Sequence, residues 1–286
     1  MPSLHDVERR IKSVSSTRQI TSTMQMISAT KVGKSNSRLE LSQPYKQSIT
    51  DIMNNIQSSN GCSLLEKHDD IKTTLLVVIV SDKGLAGGFN SNILHLAQKY
   101  LDDNKRAGKA TKVIVCGKKA ASYFNFRNIQ TELEFIGTSE EPQYIQAEEI
   151  GNYCIDNYLN GNIDEAFILY NKCKNNIEQT VVDSMILPIE SNELEESNNS
   201  DMEYEPNESA VLEGLIPLYI KTLIYNALLD SAAGEQIARR VAMQNATDSA
   251  DEMIETLTRL YNSVRQGAIT TELNEIVGGA DAAKDS

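Results

Sequence analysis

The chain has 286 residues and a mass of 31.7 kDa, which suffices for one large domain or two modest ones. Its 27 basic and 40 acidic side chains give a net charge of −13, which argues against a nucleic-acid or anionic-membrane binder, since such proteins need clustered Lys and Arg. The longest purely apolar run, at 75–80, is far shorter than the ~20 residues of a membrane helix, and the N-terminus lacks the apolar core of a secretory signal. We therefore expect neither a membrane span nor a signal peptide.

The charge is distributed unevenly along the chain. Residues 1–50 carry 8 basic and 3 acidic side chains, a net of +5, whereas residues 175–220 carry 11 acidic side chains and no Lys or Arg. We interpret this asymmetry as two oppositely charged regions that meet different partners.

The first segment, residues 1–58, predicts one long helix. Ser3 followed by Asp6 is typical of a capping box, and Leu4, Val7 and Ile11 begin an apolar face at helical spacing. We expect some fifty helical residues with a bend near Pro44.

The middle segment, residues 70–190, predicts a Rossmann-like α/β domain. Buried-strand patterns at 74–80, 112–117, 132–136, 165–170 and 177–187 alternate with helical patterns at 91–104 and 147–159. This alternation favours a mostly parallel sheet. The acidic segment 191–208 that follows predicts a solvated loop.

The last segment, residues 209–286, predicts a second long helix. An apolar stripe through Met253, Leu257 and Leu260 continues far beyond Pro217, and Gly278-Gly279 suit a helix stop. Sixty helical residues span ~90 Å, so this helix must project from any small domain. We expect it to pair with the N-terminal helix as a long antiparallel coiled coil. Together with the predicted domain of residues 70–190, this gives the fold class α/β.

Enzyme signals are weak in this sequence. The turn at 84–88 follows a strand and precedes a helix, but it matches neither GxGxxG nor GxxxxGK[ST]. Asp82 and His95 could form a base and its orienting partner, but the sequence has no nucleophile motif such as GxSxG. We interpret acidic pairs such as Glu140-Glu141 as solvated faces. The four cysteines form no CxxC, so we expect free thiols, no metal and no cofactor.

Several blocks of the chain, in order, resemble the F-type ATP synthase gamma subunit family. They are IKSVSSTRQIT at 11–21, MQMISATK at 24–31, SDKGLAGGFN at 81–90, Arg239 with VAM at 241–243 and NAT at 245–247, RQGAITTEL at 265–273, and EIVGGA at 275–280. The resemblance covers essentially the whole chain, and the combination is far more specific than any single block.

The resemblance implies a non-catalytic rotor shaft at the centre of a rotary machine. In that family the terminal helices lie inside a ring of three alpha and three beta subunits. The α/β domain sits lower, beside the epsilon subunit and the membrane c-ring. Ion flow turns the c-ring, and the beta subunits carry out the ATP chemistry. The implied location is the cytoplasmic face of the cell membrane, with membrane contact only through the c-ring and no nucleic-acid partner.

The resemblance also implies partner-binding residues. Those facing the alpha/beta ring are Met24, Arg239, Arg265, Gln266, Thr270, Thr271 and Glu272. Those at the c-ring foot are Tyr204, Glu205 and Pro206. Arg265 suits a forked hydrogen bond to carboxylates, although it could equally be a solvated helix charge.

Two other functional classes stay open at this stage. One is a nucleotide-binding α/β enzyme that uses the 84–88 turn. The other is a generic coiled-coil scaffold with no association with alpha and beta subunits.

Overall fold

The computed structural model describes residues 3–55, 64–65, 67–68, 70–173, 179–189 and 208–284. The chain divides into two compact units. The first unit combines Met1–Ile27 with Arg240–Ser286, and the second is Ser28–Arg239.

The first unit is built from the outer parts of two long helices, α1 (Leu4–Asn55) and the last helix of the chain, α5 (Glu208–Lys284). Three side-chain pairs join them, and the residue number rises on one helix as it falls on the other. The pairs are Arg18 with Asp251 at 2.6 Å, Thr21 with Thr247 at 2.8 Å, and Gln25 with Gln244. The two segments are therefore antiparallel, which confirms the predicted coiled coil.

The start of α1 is fixed by the predicted cap. The Ser3 hydroxyl accepts the Asp6 backbone N–H at 3.2 Å and donates to the Asp6 carboxylate at 2.7 Å. This satisfies one of the free N–H groups of the first turn. Pro44 lies inside α1, and the helix continues to Asn55.

The second unit is organised around a five-stranded sheet. Its strands are β1 (Thr73–Ile79), β2 (Ala110–Cys116), β3 (Leu133–Phe135), β4 (Glu165–Cys173) and β5 (Gln179–Leu187). The spatial order is β3-β2-β1-β4-β5, and every pairing is parallel except the antiparallel β4–β5 edge. The predicted mostly parallel sheet is confirmed.

Helices cover both faces of this sheet. On one face, α2 (Phe89–Arg106) and α3 (Lys118–Phe126) pack against Leu76, Val78 and Val113. On the other face, α4 (Tyr144–Leu159) packs together with the inner parts of α1 and α5. Burial on two sides explains why β1 is an unbroken apolar run instead of an alternating pattern.

The predicted segment 209–286 is close to the observed α5, but the predicted helix stop at Gly278-Gly279 was wrong. The helix begins at Glu208 with Pro217 in its interior, and it passes Gly278-Gly279 to end at Lys284. Burial of Ile216 and Ile220 against the sheet offsets the cost of the proline. A glycine costs only about 1 kcal/mol in a helix, so two of them disfavour it without ending it.

One stretch within Val211–Val277 of α5 is long and apolar enough, by length and composition alone, to cross a membrane. Half of that stretch's most apolar part is buried inside the protein. Helix residues such as Leu212, Ile224 and Leu228 belong to the core against the sheet. Core packing therefore accounts for this apolar stretch.

The central strands should dominate the stability of the second unit. Ile114 in β2 is fully buried, and we expect Ile114→Ala to lower the free energy of unfolding by about 2–5 kcal/mol through lost burial and a residual cavity. Ile136→Ala is the matched control, because that side chain is about half exposed and its loss should cost about 0.5 kcal/mol or less. Denaturant unfolding of both variants measures the difference, and equal losses would contradict this description of the core.

Candidate functional site

Most of the predicted alpha/beta-facing residues lie on the surface of the first unit. Met24 is half-buried on α1. Arg265, Gln266, Thr270, Thr271 and Glu272 are all exposed on α5. The structure thus leaves these α5 side chains accessible to a partner.

The hydroxyl groups of this unit are largely satisfied by their own helices. Ser and Thr side chains donate to the backbone carbonyl four residues earlier, at 2.7–3.1 Å. They are Ser16, Thr17, Thr23, Thr256, Thr258, Thr270 and Thr271. A hydroxyl bonded in this way presents little unmet hydrogen-bonding demand to its surroundings. These hydroxyls therefore add little unmet hydrogen-bonding demand to a surface that also carries exposed charged side chains such as Lys12, Glu252 and Glu275.

The end of α5 runs past the start of α1. The register set by Arg18 with Asp251 places Leu4, the first residue of α1, opposite Arg265. Residues 266–277, which we call the tip segment, therefore have no α1 residue beside them. Four exposed apolar side chains at a spacing of three to four lie on this segment: Ile269, Leu273, Ile276 and Val277.

An exposed apolar stripe of this kind marks a contact surface. Sequence reasoning placed polar contacts here but missed the stripe. Its 269-273-276 spacing was the signal that could have revealed it.

Arg239, in the second unit, has a different environment from the other predicted site residues. It is only 5% exposed, and its guanidinium donates to the Glu235 carboxylate at 2.6 Å and to the Gly84 carbonyl at 3.3 Å. Burial raises the pKa of Glu235, although Arg239 opposes this effect. The guanidinium is thus engaged within its own chain, and its contact with alpha/beta stays a prediction.

The loop at 81–90, which we call the signature loop, is held by its own polar groups. The Asp82 carboxylate accepts the backbone N–H groups of Lys118, Gly137 and Ser139 at 2.8, 2.9 and 3.1 Å. Partial burial alone would raise the pKa of Asp82, but these N–H groups outweigh it and hold the pKa below its ordinary value. Asp82 is therefore an ionised structural anchor.

This geometry does not favour the enzyme alternatives. His95 is exposed on α2, while the Asp82 carboxylate is occupied by backbone N–H groups. The Ser81 and Asp82 N–H groups donate to Asn90 and Ser139 side chains and so are not free for a phosphate. Among the described residues, no cluster of His, Cys, Asp and Glu could hold a metal ion.

The cysteines in the described chain behave as structural residues. Cys116 and Cys154 are free and buried, and burial raises the pKa of both thiols to about 12. Thiols with such high pKa values are inert at neutral pH. The predicted foot residues Tyr204, Glu205 and Pro206, and the acidic stretch at 190–201, lie outside the described residues.

Comparisons with known proteins support the class that this geometry defines, a pair of long helices attached to an α/β domain. The ATP synthase family model matches residues 3–283. The ATP synthase gamma chain of Anaeromyxobacter sp. (strain Fw109-5) is 38% identical over 290 residues, covering 99% of this chain and 100% of the relative. The sodium-ion-specific gamma chain of Acetobacterium woodii is 36% identical over 300 residues, covering 98% of each.

Solved structures with a similar fold also come from ATP synthases. The central stalk/c-ring structure of the Tetrahymena thermophila mitochondrial ATP synthase contains a chain 27% identical to this one, with a TM-score of 0.61 and coverage of 79% of this chain and 99% of that one. A chain of the Euglena gracilis mitochondrial ATP synthase, 19% identical with a TM-score of 0.69 over 98% of this chain and 94% of that one, shares the fold. The chain belongs to the ATP synthase gamma chain family. Its role is that of a non-catalytic central-stalk subunit in a membrane-associated complex.

The backbone of Leu85 yields a testable consequence. This residue has φ +61° although its side chain is 64% exposed, so the signature loop holds a left-handed conformation that costs an L-residue about 1–2 kcal/mol. We expect Leu85→Gly to be more stable to unfolding than Leu85→Ala by about 1 kcal/mol, because only glycine adopts this φ without strain. Thermal unfolding of the two variants makes the comparison. A more stable Ala variant would contradict the loop conformation.

The α5 carboxylate Asp230 provides a pH-dependent test. It is buried, and burial raises its pKa to about 6 despite the opposing charges of Lys46 and Lys172. The folded state therefore binds a proton more tightly than the unfolded state, so ionisation destabilises the fold as the pH rises from about 4 to about 6.

We expect Asp230→Asn to raise the free energy of unfolding at pH 8 by up to about 3 kcal/mol, because the amide cannot ionise. About half of that gain should remain at pH 5. Asp70→Asn is the control, because its carboxylate is 78% exposed. A gain for Asp230→Asn that does not change with pH would contradict the assignment.

Proposed function

We propose that this chain is the rotor shaft of an F1Fo ATP synthase. It couples ion flow through a c-ring to the conformational cycle of three catalytic beta subunits. In this proposal the first unit turns inside the ring of three alpha and three beta subunits. The second unit binds the epsilon subunit and the c-ring at the cytoplasmic face of the cell membrane. The chain itself binds no cofactor.

The observation that carries this proposal is the surface of the first unit. A shaft that turns inside a protein ring must present similar surfaces to several partners in turn, without forming contacts that hold it at one angle. Self-bonded hydroxyls meet this requirement, because they leave little unmet polar demand.

The tip segment supports the same proposal. Its exposed Ile269, Leu273 and Ile276 form an apolar face on a helix that α1 does not accompany. Non-directional apolar contact permits rotation inside a surrounding protein sleeve. Thr270, Thr271 and Glu272 lie on the same segment.

Specific polar contacts are proposed at the sites given by the family resemblance. Arg265 and Gln266 would bind carboxylates and amides of the ring, and Met24 would face the moving lever of beta. Tyr204, Glu205 and Pro206 would contact the polar loops of the c-ring. The guanidinium of Arg265 takes part in no ion pair among the described residues, so it is available for a bidentate contact with a carboxylate.

Reconstitution tests the proposal directly. Mixing this chain with the alpha and beta subunits should give a stable assembly with ATPase activity. Cross-linking α5 to beta near Arg265 should abolish that activity, because the shaft can no longer turn. ATPase that survives a complete cross-link would count against rotation, and a chain that fails to associate with alpha and beta would favour the scaffold alternative.

Arg265 provides a matched mutational test. We expect Arg265→Ala to change the stability of the isolated chain by about 0.5 kcal/mol or less, because its side chain is exposed. In the assembled complex it should lower ATP hydrolysis several-fold through the lost contact with beta. Arg259→Ala is the control and should leave hydrolysis unchanged, because Arg259 lies six residues earlier on α5 and pairs only with Glu255 at 3.3 Å among the described residues. Equal effects of the two substitutions would contradict a specific role for Arg265.

A further inference from the structure

The signature loop contacts both long helices of the second unit, which neither the sequence nor the family assignment explains. From α5, Arg239 reaches the Gly84 carbonyl at 3.3 Å, and Glu235 holds the guanidinium in place at 2.6 Å. Both side chains are almost fully buried. The loop is thus joined to α5 by a shielded, charge-assisted contact, which is stronger than an ordinary surface hydrogen bond.

The connection to α1 passes through a single carboxylate. Glu140 binds Lys83 of the signature loop at 2.8 Å and Lys31 of α1 at 2.6 Å. Its neighbour Glu141 binds Lys34 and Arg38 of α1 at 2.6 and 3.3 Å. The predicted solvated face describes Glu141, which is 57% exposed, but Glu140 is only 26% exposed, and both pair with residues from a distant part of the sequence.

Asp82 makes this arrangement a single connected network. Its carboxylate fixes the backbone of Gly137 and Ser139, immediately before Glu140, and also the first N–H of α3. The loop that carries Glu140 and Glu141 therefore cannot shift without breaking these bonds. The strained conformation of Leu85 fits such a loop, since strain persists only where the surroundings determine the backbone.

Apolar packing alone would not provide this kind of attachment. Ile49 and Met53 of α1, and Ile216 and Ile224 of α5, are buried against the sheet. Apolar contact resists separation, but it is non-directional and constrains sliding or twisting of a helix far less. Directed polar contacts instead fix the helices at Lys31, which pairs with Glu140, and at Arg239, which donates to the Gly84 carbonyl. These two residues lie near the two ends of the second unit in sequence.

We propose that the signature loop is the mechanical joint that locks α1 and α5 to the α/β domain, with Asp82 and Glu140 as the positioning residues that keep torque from being lost there. The proposal rests on the rotor function above. It assigns the loop neither a nucleotide nor a catalytic task. It also explains why a tight, polar-braced loop stands at the carboxyl end of the central strand.

The test compares Asp82→Asn with Asp103→Asn in the full complex reconstituted into vesicles. The amide of Asp82→Asn turns a donor towards backbone donors, so at least one of the three bonds is lost. Asp103 is a matched control, because its carboxylate belongs to the same α/β domain and pairs only with Arg106 of the same helix among the described residues. Two quantities are measured for each variant, the rate of ATP hydrolysis and the rate of ATP-driven ion pumping.

We expect Asp82→Asn to hydrolyse ATP within twofold of the parent while the ions pumped per ATP fall at least twofold. Asp103→Asn should match the parent in both. A purely structural role would lower the amount of assembled complex, and so reduce hydrolysis and pumping together without changing their ratio.

Lys31→Gln provides the second variant if Asp82→Asn fails to assemble. Its side chain is partly exposed, so the chain should fold, and its loss should lower the same ratio. An unchanged ratio in an assembled variant overturns the joint, provided that the parent pumps normally. A parent complex that hydrolyses ATP without pumping would instead refute the proposed rotor function.

Discussion

The second unit depends on the burial of one sheet from both sides. β1 lies at the centre of that sheet, and its side chains alternate between two cores, one formed with α2 and α3 and the other with α1, α4 and α5. Because α1 and α5 both contribute to the second core, the two ends of the chain are brought to the same face of the sheet. Residues separated by some 170 positions, such as Ile49 and Ile224, thereby belong to one cluster. This long-range burial explains why two helices so far apart in sequence can act as one structural element.

Several polar side chains of α5 are unusual because they are buried. Asn226, Asp230, Glu235 and Arg239 are all buried on this helix, where an apolar core would be more stable. Each has neighbours in the second unit that only this fold brings near, such as Gly84 for Arg239 and Lys46 for Asp230. Buried polar contacts add directional constraints where packed side chains could slide. These contacts cost some stability but hold α5 in a defined position, which a helix that transmits force requires.

The sequence predicted the elements better than their limits or their contacts. The mostly parallel sheet and the two long helices followed from apolar periodicity, because β1 and the long helices carry strong repeating patterns. The end of α5 was misjudged because Gly278-Gly279 disfavour a helix without ending it. Pairings such as Lys31 with Glu140 could not be foreseen, since no local pattern joins residues more than a hundred positions apart. The contacts of a rotor with its partners are equally non-local, so those assignments came from resemblance to known sequences.

The charge of the N-terminal helix acquires a different meaning in the structure. The net charge of +5 over the first fifty residues was interpreted as one of two oppositely charged regions that meet different partners. However, five of the eight basic side chains in that segment form ion pairs within the chain, namely Arg9, Arg18, Lys31, Lys34 and Arg38. Much of the positive charge therefore holds the chain together and is not offered to a partner. Three of these five, Lys31, Lys34 and Arg38, lie in the second unit. The internally paired charge of α1 therefore lies mainly outside the segment that the proposal places inside the ring, where it joins α1 to the α/β domain.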